Sequence, residues 1–386
     1  MSHIPEYLVE DILSRLRVKS LMCFRSVSKS WHDLIDSPSF IKKHMKQSMK
    51  MKREESTAEL VYRCNSYTYY SLQKLDLSGD PHPIGDPKEL PPIFCHRYDY
   101  DTSSSYLGIY RIHLVGSCNG VICFVDIADH IVFWNLATRK FFEVQNYRIK
   151  LPEMCCRSSF VDYGFGYDSA TDDYKVIRMI TAHTDGITDS SLVELYSLKS
   201  DSWKRFEALV GHSFRNGYGI LVGGALHWLR NKSYNTENRE YMIVSFDLTK
   251  EEFNFLPHPE LSGKFTWMNL GNYQDCLSLF CRADEAPDEA ADSEIWVMKD
   301  LGIKESWTKV FNVNNTYTYM RAIYHSMCKT TNFWEKNRDT LEWNKEENKN
   351  IKNYCEVRCL PLEAEFVHCE SLVGPSWTGE EEAFRL

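Results

Sequence analysis

The strongest constraint on this chain is a pattern of short strands that recurs at a fixed step. Tyr196, Phe246 and Trp296 stand 50 residues apart, each near the end of a strand-like run. In Tyr196-Ser-Leu-Lys-Ser-Asp-Ser-Trp203 and Phe246-Asp-Leu-Thr-Lys-Glu-Glu-Phe253, a polar turn separates two aromatic strand positions. Trp134-Asn-Leu-Ala-Thr-Arg-Lys-Phe141 repeats the arrangement, and Trp296-Val-Met-Lys-Asp begins it again. Aromatic residues make up 13% of the 386 residues, and such side chains suit pleated, half-buried surfaces.

Each repeat divides into four strand patterns. The first runs through 114–118, 121–125, 131–135 and 140–144, with Asn119-Gly120 as a hairpin turn. The second is 161–167, 174–180, 192–196 and 202–206. The third is 219–222, 225–229, 243–247 and 252–256, turning at Gly223-Gly224, and the fourth is 268–272, 276–281, 294–297 and 307–311. A period near 50 with four strands per unit is the signature of a propeller blade. Flanking patterns at 60–64, 72–77, 332–334, 341–343 and 366–372 extend this to an expected propeller of about six blades. A β-sandwich is the competing all-β arrangement.

Ahead of the strands the periodicity is helical. Leu8, Val9, Ile12, Leu13 and Leu16 form one stripe, with Pro5 at the expected first helical position and Glu6, Glu10 and Asp11 toward the helix start. Val18, Leu21, Phe24 and Val27 predict a second helix, and Trp31, Leu34 and Ile35 a third. Ser37-Pro38 predicts a capped fourth helix. Helices this short do not fill their own core, so either a partner protein or the rest of the chain must cover them. The architecture expected is α+β and multi-domain. A helical module occupies 1–45, a basic connecting helix or linker 46–57, a mainly antiparallel propeller-like domain 58–375, and an acidic tail 376–386.

The run from Ile4 to Phe40, I-P-E-Y-L-V-E-D-I-L-S-R-L-R-V-K-S-L-M-C-F-R-S-V-S-K-S-W-H-D-L-I-D-S-P-S-F, resembles the F-box of plant F-box proteins. Ile4 replaces the usual Leu, and Arg17 replaces a usual Pro at the turn between the first two helices. The stretches G116-S-C-N-G-V-I-C-F, F133-W-N-L-A-T-R-K, F165-G-Y-D-S-A-T-D-D-Y-K-V-I-R, G223-G-A-L-H-W and E370-S-L-V resemble the kelch-like F-box-associated interaction domain. The resemblance implies a substrate receptor of an SCF-type (Skp-cullin-F-box) ubiquitin ligase. It would dock a Skp-type adaptor, and through it a cullin, and recruit a target protein for ubiquitination and degradation. Ile4, Pro5, Leu8, Ile12, Leu13, Leu16, Val18, Leu21, Phe24, Val27, Ser28 and Trp31 occupy the matching adaptor-binding positions. Leu8, Leu16, Leu21 and Trp31 are expected to divide between the module's core and the adaptor surface. The sequence is also similar to pollen S-locus F-box proteins, which recognise stylar ribonucleases, and to F-box proteins that control immune-receptor levels. A scaffold that has lost adaptor binding is a further alternative.

Target recognition is expected on loops of the propeller. Segments 182–190, 231–240 and 282–293 are long and polar beside the equivalent 126–130, and equivalent loops of a meander share a rim. His183, Asp185, Asn231, Tyr234, Asp284, Glu285 and Asp288 are the candidate contacts, with Glu289, Asp292 and Glu294 adding negative charge.

Other function classes find little support. The formal net charge of −9 argues against a broad phosphate-binding surface, so no nucleic acid is expected. The basic run Lys42, Lys43, Lys46, Lys50, Lys52 and Arg53 reads as the solvated face of the fourth helix, whose other face is Ile41, Met45 and Met49. No apolar run spans a bilayer, and the start carries no secretory pattern, so a cytoplasmic and/or nuclear location is expected. The 13 cysteines lack zinc-site spacing, so no metal or cofactor is implied. Phosphate-loop, zinc-protease and nucleophile-elbow patterns are all missing. Gly164-Phe-Gly166 and Gly217-Tyr-Gly219 read as strand and turn glycines, and Asp168, Asp172 and Asp173 as a turn rather than a cation site. The chain is expected to be non-catalytic.

Overall fold

The computed structural model describes residues 4–52, 57–63, 70–76, 82–89, 113–125, 130–135, 137–138, 140–144, 159–184, 187–206, 218–231, 241–261, 265–283, 293–313, 366–368 and 371–373. Four helices come first: α1 (Glu6–Ser14), α2 (Val18–Phe24), α3 (Lys29–Asp36) and α4 (Pro38–Lys52). Ser28 caps α3 and Ser37 caps α4, each hydroxyl accepting the backbone N–H three residues on at 3.2 Å. Pro5 sits one position earlier than expected, as the N-cap of α1 with φ −56° and ψ 141°. α4 runs unbroken to Lys52, into the expected basic connecting helix, because nothing between Ser39 and Lys52 is glycine or proline.

The strands then form four-stranded antiparallel units. β1 (Thr57–Arg63), β2 (Tyr70–Asp76) and β3 (His82–Glu89) begin the first blade. The second is β4 (His113–Cys118), β5 (Val121–Val125), β6 (Ile131–Asn135) and β7 (Lys140–Glu143). The third is β8 (Ser159–Asp168), β9 (Asp173–Thr184), β10 (Ile187–Ser197) and β11 (Ser202–Phe206). The fourth is β12 (Tyr218–Val222), β13 (Ala225–Asn231), β14 (Tyr241–Asp247) and β15 (Glu252–Leu256). The fifth is β16 (Phe265–Tyr273), β17 (Cys276–Ala283), β18 (Ser293–Met298) and β19 (Trp307–Val313). β20 (Phe366–His368) returns to pair with β1, so the C-terminal segment closes the first blade. The third and fourth units join through β8 and β12 into one curled eight-stranded sheet while the other units stay four-stranded, an arrangement that fits a propeller rather than a sandwich. Five blades are described, and the expected strands at 332–334 and 341–343 lie outside the described residues.

Turn chemistry explains the hairpins. Asn119-Gly120 and Gly223-Gly224 take positive φ at both central residues, as a type I′ turn demands. Gln274-Asp275 does the same without glycine (φ 51° and 63°). In the fifth blade a bulge between Ile295 and Trp296 shifts the register. The aromatic residue opposite the end of β18 is Trp307, facing Met298 after the longer turn 299–306. The step of 50 to Trp296 therefore marks the right strand but not the paired position.

The core lies in the seams between blades. Alternation along β9 sends Tyr174 and Val176 toward the second blade and Ile177 and Met179 toward the fourth. Between the second and third blades, Phe133 packs on Phe165 (centroids 5.5 Å) and Tyr196 (6.2 Å). At the third seam, β8 and β12 pair in parallel with Gly164 opposite Gly219. A Cβ on either glycine would fall 2.6 Å from the Trp228 ring, so both glycines are needed for that indole to lie across the seam. The indole N–H donates to the Tyr163 carbonyl at 3.1 Å. Of the glycines that resemble fragments of a nucleotide loop, Gly164 and Gly219 are therefore packing positions, and Gly217 lies outside the described residues.

Candidate functional site

The helical module has two sides. Leu13, Val18, Leu21, Ile35 and Phe40 are buried together, with Val9, Leu16, Phe24, Trp31 and Leu34 half-buried against them. Phe24 meets Trp31 edge to face at 5.6 Å. α4 covers α1 through the buried His44, whose ring nitrogen lies 2.8 Å from the Leu16 carbonyl, and through Lys43, which reaches Glu10 at 2.9 Å. On the outer side Ile4, Leu8 and Ile12 repeat at four-residue steps and stay 57%, 41% and 55% exposed. Tyr7 (67%) lies beside them on α1, and Val27 (62%) is also open. Isolated exposed apolar residues are ordinary, but a stripe of them on one helix marks an interaction surface.

The expected adaptor-binding residues thus separate into groups. Ile4, Leu8, Ile12 and Val27 are open, while Leu16, Phe24 and Trp31 are half-buried. Leu13, Val18 and Leu21 are closed inside the core, so any part they play in docking is through packing. Pro5 and Ser28 are exposed and serve as N-caps. Tyr7 is missing from the expected set because the F-box pattern leaves its position, between Pro5 and Leu8, unspecified. Arg17, at the position where proline is usual, has φ −67° and ψ 149° as the N-cap of α2. That φ is proline's own, so the turn is kept without the ring.

The propeller has two rims. Turns between first and second strands, and between third and fourth, share one rim in an antiparallel meander. The ends that join second to third strands, Thr184 to Ile187, Asn231 to Tyr241 and Ala283 to Ser293, share the other. The helical module sits on the short-turn rim. Ala137 and Leu372 pack into its core, and Lys42 Nζ lies 2.6 Å from Asp172 Oδ2. Of the two expected ways of covering the helices, packing on the rest of the chain is in use on one side, and the other side is open. Of the basic run, Lys42 and Lys43 are committed to acids, and Arg53 lies outside the described residues.

Of the expected target contacts, His183 and Asn231 belong to the ends of β9 and β13, their side chains outside the described set. Asp185, Tyr234, Asp284, Glu285, Asp288, Glu289 and Asp292 lie outside the described residues. Glu294 does not add free charge to a rim. It stands on β18, accepting from Lys309 at 2.5 Å and from the Trp296 indole at 2.8 Å.

The acidic turn 168–173 is fully occupied by the protein's own donors. Burial alone would raise the Asp168 carboxyl, but bonds from Thr171, Thr249 and Lys175 outweigh it and lower it to about 2. Asp173 accepts from Ser197 Oγ at 2.6 Å and the Lys199 N–H at 2.8 Å, and Asp172 from Lys42 and Tyr167. The strongly shifted groups His227 and Arg230 are explained by burial at blade seams, which lowers them to about 4 and about 10. Arg230 is held by Asp162 at 3.1 Å. Among the described residues no group of three or more His, Cys, Asp or Glu is arranged to hold a metal.

Comparison with known proteins agrees with this division. The F-box domain family matches residues 1–43, and the F-box associated beta propeller domain family matches residues 92–359. F-box protein CPR1 of Arabidopsis thaliana is 30% identical over 374 residues, covering 89% of this chain and 82% of that protein. F-box/kelch-repeat protein At3g23880 of the same plant is 28% identical over 330 residues, covering 84% and 83%. F-box proteins are generally substrate receptors of SCF ubiquitin ligases and generally non-catalytic, the F-box implying a Skp1-type adaptor. With an open helical face at one end and a bladed β domain behind it, this chain belongs to the F-box proteins that carry an F-box associated β-propeller.

Proposed function

We propose that this chain is the substrate-recognition subunit of an SCF-type ligase. It docks a Skp-type adaptor on the outer face of α1 and holds a target protein at the rim opposite the helices. The carrying observation is the exposed stripe Ile4, Leu8 and Ile12, with Tyr7 alongside, on a module whose other side is already covered. Covering one such aliphatic side chain is worth about 1.5–3 kcal/mol, so a few of them suffice to anchor an interface. Ubiquitin transfer then belongs to other subunits, and this chain supplies proximity. The proposed role fits a cytoplasmic or nuclear location, a reading supported by the free thiols Cys23, Cys118, Cys123, Cys276 and Cys281 among the described residues.

Adaptor pull-down and calorimetry test the docking step. Wild-type protein is expected to bind, and Ile12→Asp to lose binding with its thermal unfolding unchanged, because Ile12 supports nothing inside the core. Failure of the wild type to bind adaptor would refute the proposal. So would full binding by the Ile12→Asp protein.

A further inference from the structure

Two sequence stretches that adaptor docking does not use, F133-W-N-L-A-T-R-K and E370-S-L-V, meet at one buried amide. We propose that Asn135, Ser371 and Leu372 form a latch that fixes the helical module on the propeller, acting as positioning residues for the delivery of a bound target. The inference rests on the substrate-receptor reading for its purpose, but not for its geometry.

Asn135 closes β6 and is buried. Its Oδ1 accepts the N–H groups of Ala137 at 2.9 Å and Thr138 at 3.2 Å, which shapes the turn that carries Ala137. Its Nδ2 donates to the carbonyls of Ser371 at 2.9 Å and Val373 at 2.5 Å, with Ser371 Oγ at 3.3 Å. Ser371 Oγ donates in turn to the Asn119 carbonyl at 2.7 Å, in the neighbouring hairpin turn. Val373 packs into the seam between the second and third blades. Leu372, between these two anchors, goes the other way and joins Leu13, Val18, Leu21, Ile35 and Phe40 in the helical core. One amide side chain therefore sets both apolar contacts, Ala137 and Leu372, that the propeller makes with that core among the described residues.

A further link among the described residues, Lys42 to Asp172, is exposed on both sides. Such pairs are weak and screened by salt, so it can steer the module but not hold it. The latch follows directly after β20, so the segment that closes the propeller also seats the F-box. A fixed joint matters to a receptor that works by proximity. The effective concentration of a target group at a remote reaction centre depends on the stiffness of what lies between.

The test measures the joint itself, in the full-length chain. Genetically encoded spin labels at Lys29 on α3 and Lys250 on the propeller report one distance by pulsed electron resonance. Wild type is expected to give a single narrow distance. Leu372→Ser is expected to lose it, giving a broad distribution while adaptor affinity and propeller unfolding stay unchanged. Asn135→Asp, which turns an amide donor into a carboxylate facing two carbonyls, is expected to broaden it in the same way. A narrow distance retained in Leu372→Ser overturns the latch. So does loss of adaptor binding in that variant together with melting of α1–α3, which would make Leu372 an ordinary core residue. If the wild type fails to bind adaptor yet Leu372→Ser broadens the distance, the latch stands and the ligase reading falls.

Discussion

The helical module and the blade seams bury the same kinds of side chain to different ends. In the seam between the third and fourth blades, Trp228 is packed against Leu226, Phe246 and Leu248 on its own blade and Ile177 and Met179 on the neighbouring one, and Gly164 and Gly219 admit it without a gap. In the module, the core of Leu13, Val18, Leu21, Ile35 and Phe40 is joined by Leu372 from elsewhere in the chain, and Ile4, Leu8 and Ile12 remain uncovered. A seam between two large sheets has apolar surface on both sides and closes on itself. Short helices have more apolar face than they can pair, and the surplus is the face proposed for docking. On that proposal, stability is concentrated in the first region and recognition in the second.

The largest effect that would test this division is at the seam. Trp228→Ala removes the indole and leaves a cavity over two glycines. It is expected to destabilise the propeller by about 3–5 kcal/mol, as large-to-small changes at buried aromatic positions do. Denaturant unfolding followed by far-ultraviolet circular dichroism measures the loss. Below the transition, adaptor affinity should match wild type. If affinity falls in step with propeller stability, the two regions are not separate and the comparison fails.

Acid should separate them too. His227 is buried against the Ile220 carbonyl at 3.2 Å, and burial lowers it from 6.5 to about 4. The folded chain therefore binds fewer protons than the unfolded one between those values. Stability is complete above pH 6.5 and declines as pH falls toward 4, by about 3 kcal/mol in all. Asp168, also lowered, adds a second decline below its ordinary value near 3.8, down to about 2. Thermal midpoints of wild type and His227→Gln across pH 4–7 check the first step. The substitution is expected to flatten the slope in that window. Equal slopes in the two proteins would show that the acid sensitivity lies elsewhere.

Much of this architecture was legible because local and global signals agree. The four strands of the second to fifth blades fall where alternation and turn residues put them, since Asn119-Gly120 and Gly223-Gly224 can do little but turn. The bulge at Ile295 was not legible, because a one-residue register shift alters pairing without altering composition. The open stripe was half legible. Spacing identified Leu8 and Ile12 with Leu13 and Leu16 as one apolar band, but which edge faces outward depends on where α4 and Leu372 lie. The latch was hidden for a related reason. Asn135 and Ser371 are 236 residues apart, and a single polar residue at a turn looks the same whether it binds only its own loop or a distant strand as well.

The smallest expected effect sharpens the comparison within the module itself. Arg17 is the residue at which the F-box departs from its family, and the turn it occupies joins the open helix α1 to the buried α2. Its φ of −67° is one that proline adopts without strain, and its carbonyl already accepts the N–H groups of Ser20 at 3.0 Å and Leu21 at 3.1 Å. Proline there would remove conformations from the unfolded chain and leave these bonds in place. Arg17→Pro is therefore expected to stabilise the module by about 0.4–1 kcal/mol, read as slower hydrogen exchange of the α1 and α2 amides. Adaptor affinity should hold or rise slightly, because the substitution touches neither Leu8 nor Ile12. Faster exchange in α1 would mean that the Arg17 N–H or the Leu16 backbone is committed to the turn in a way proline breaks. In that case arginine is built into the turn, and the module's open face depends on it.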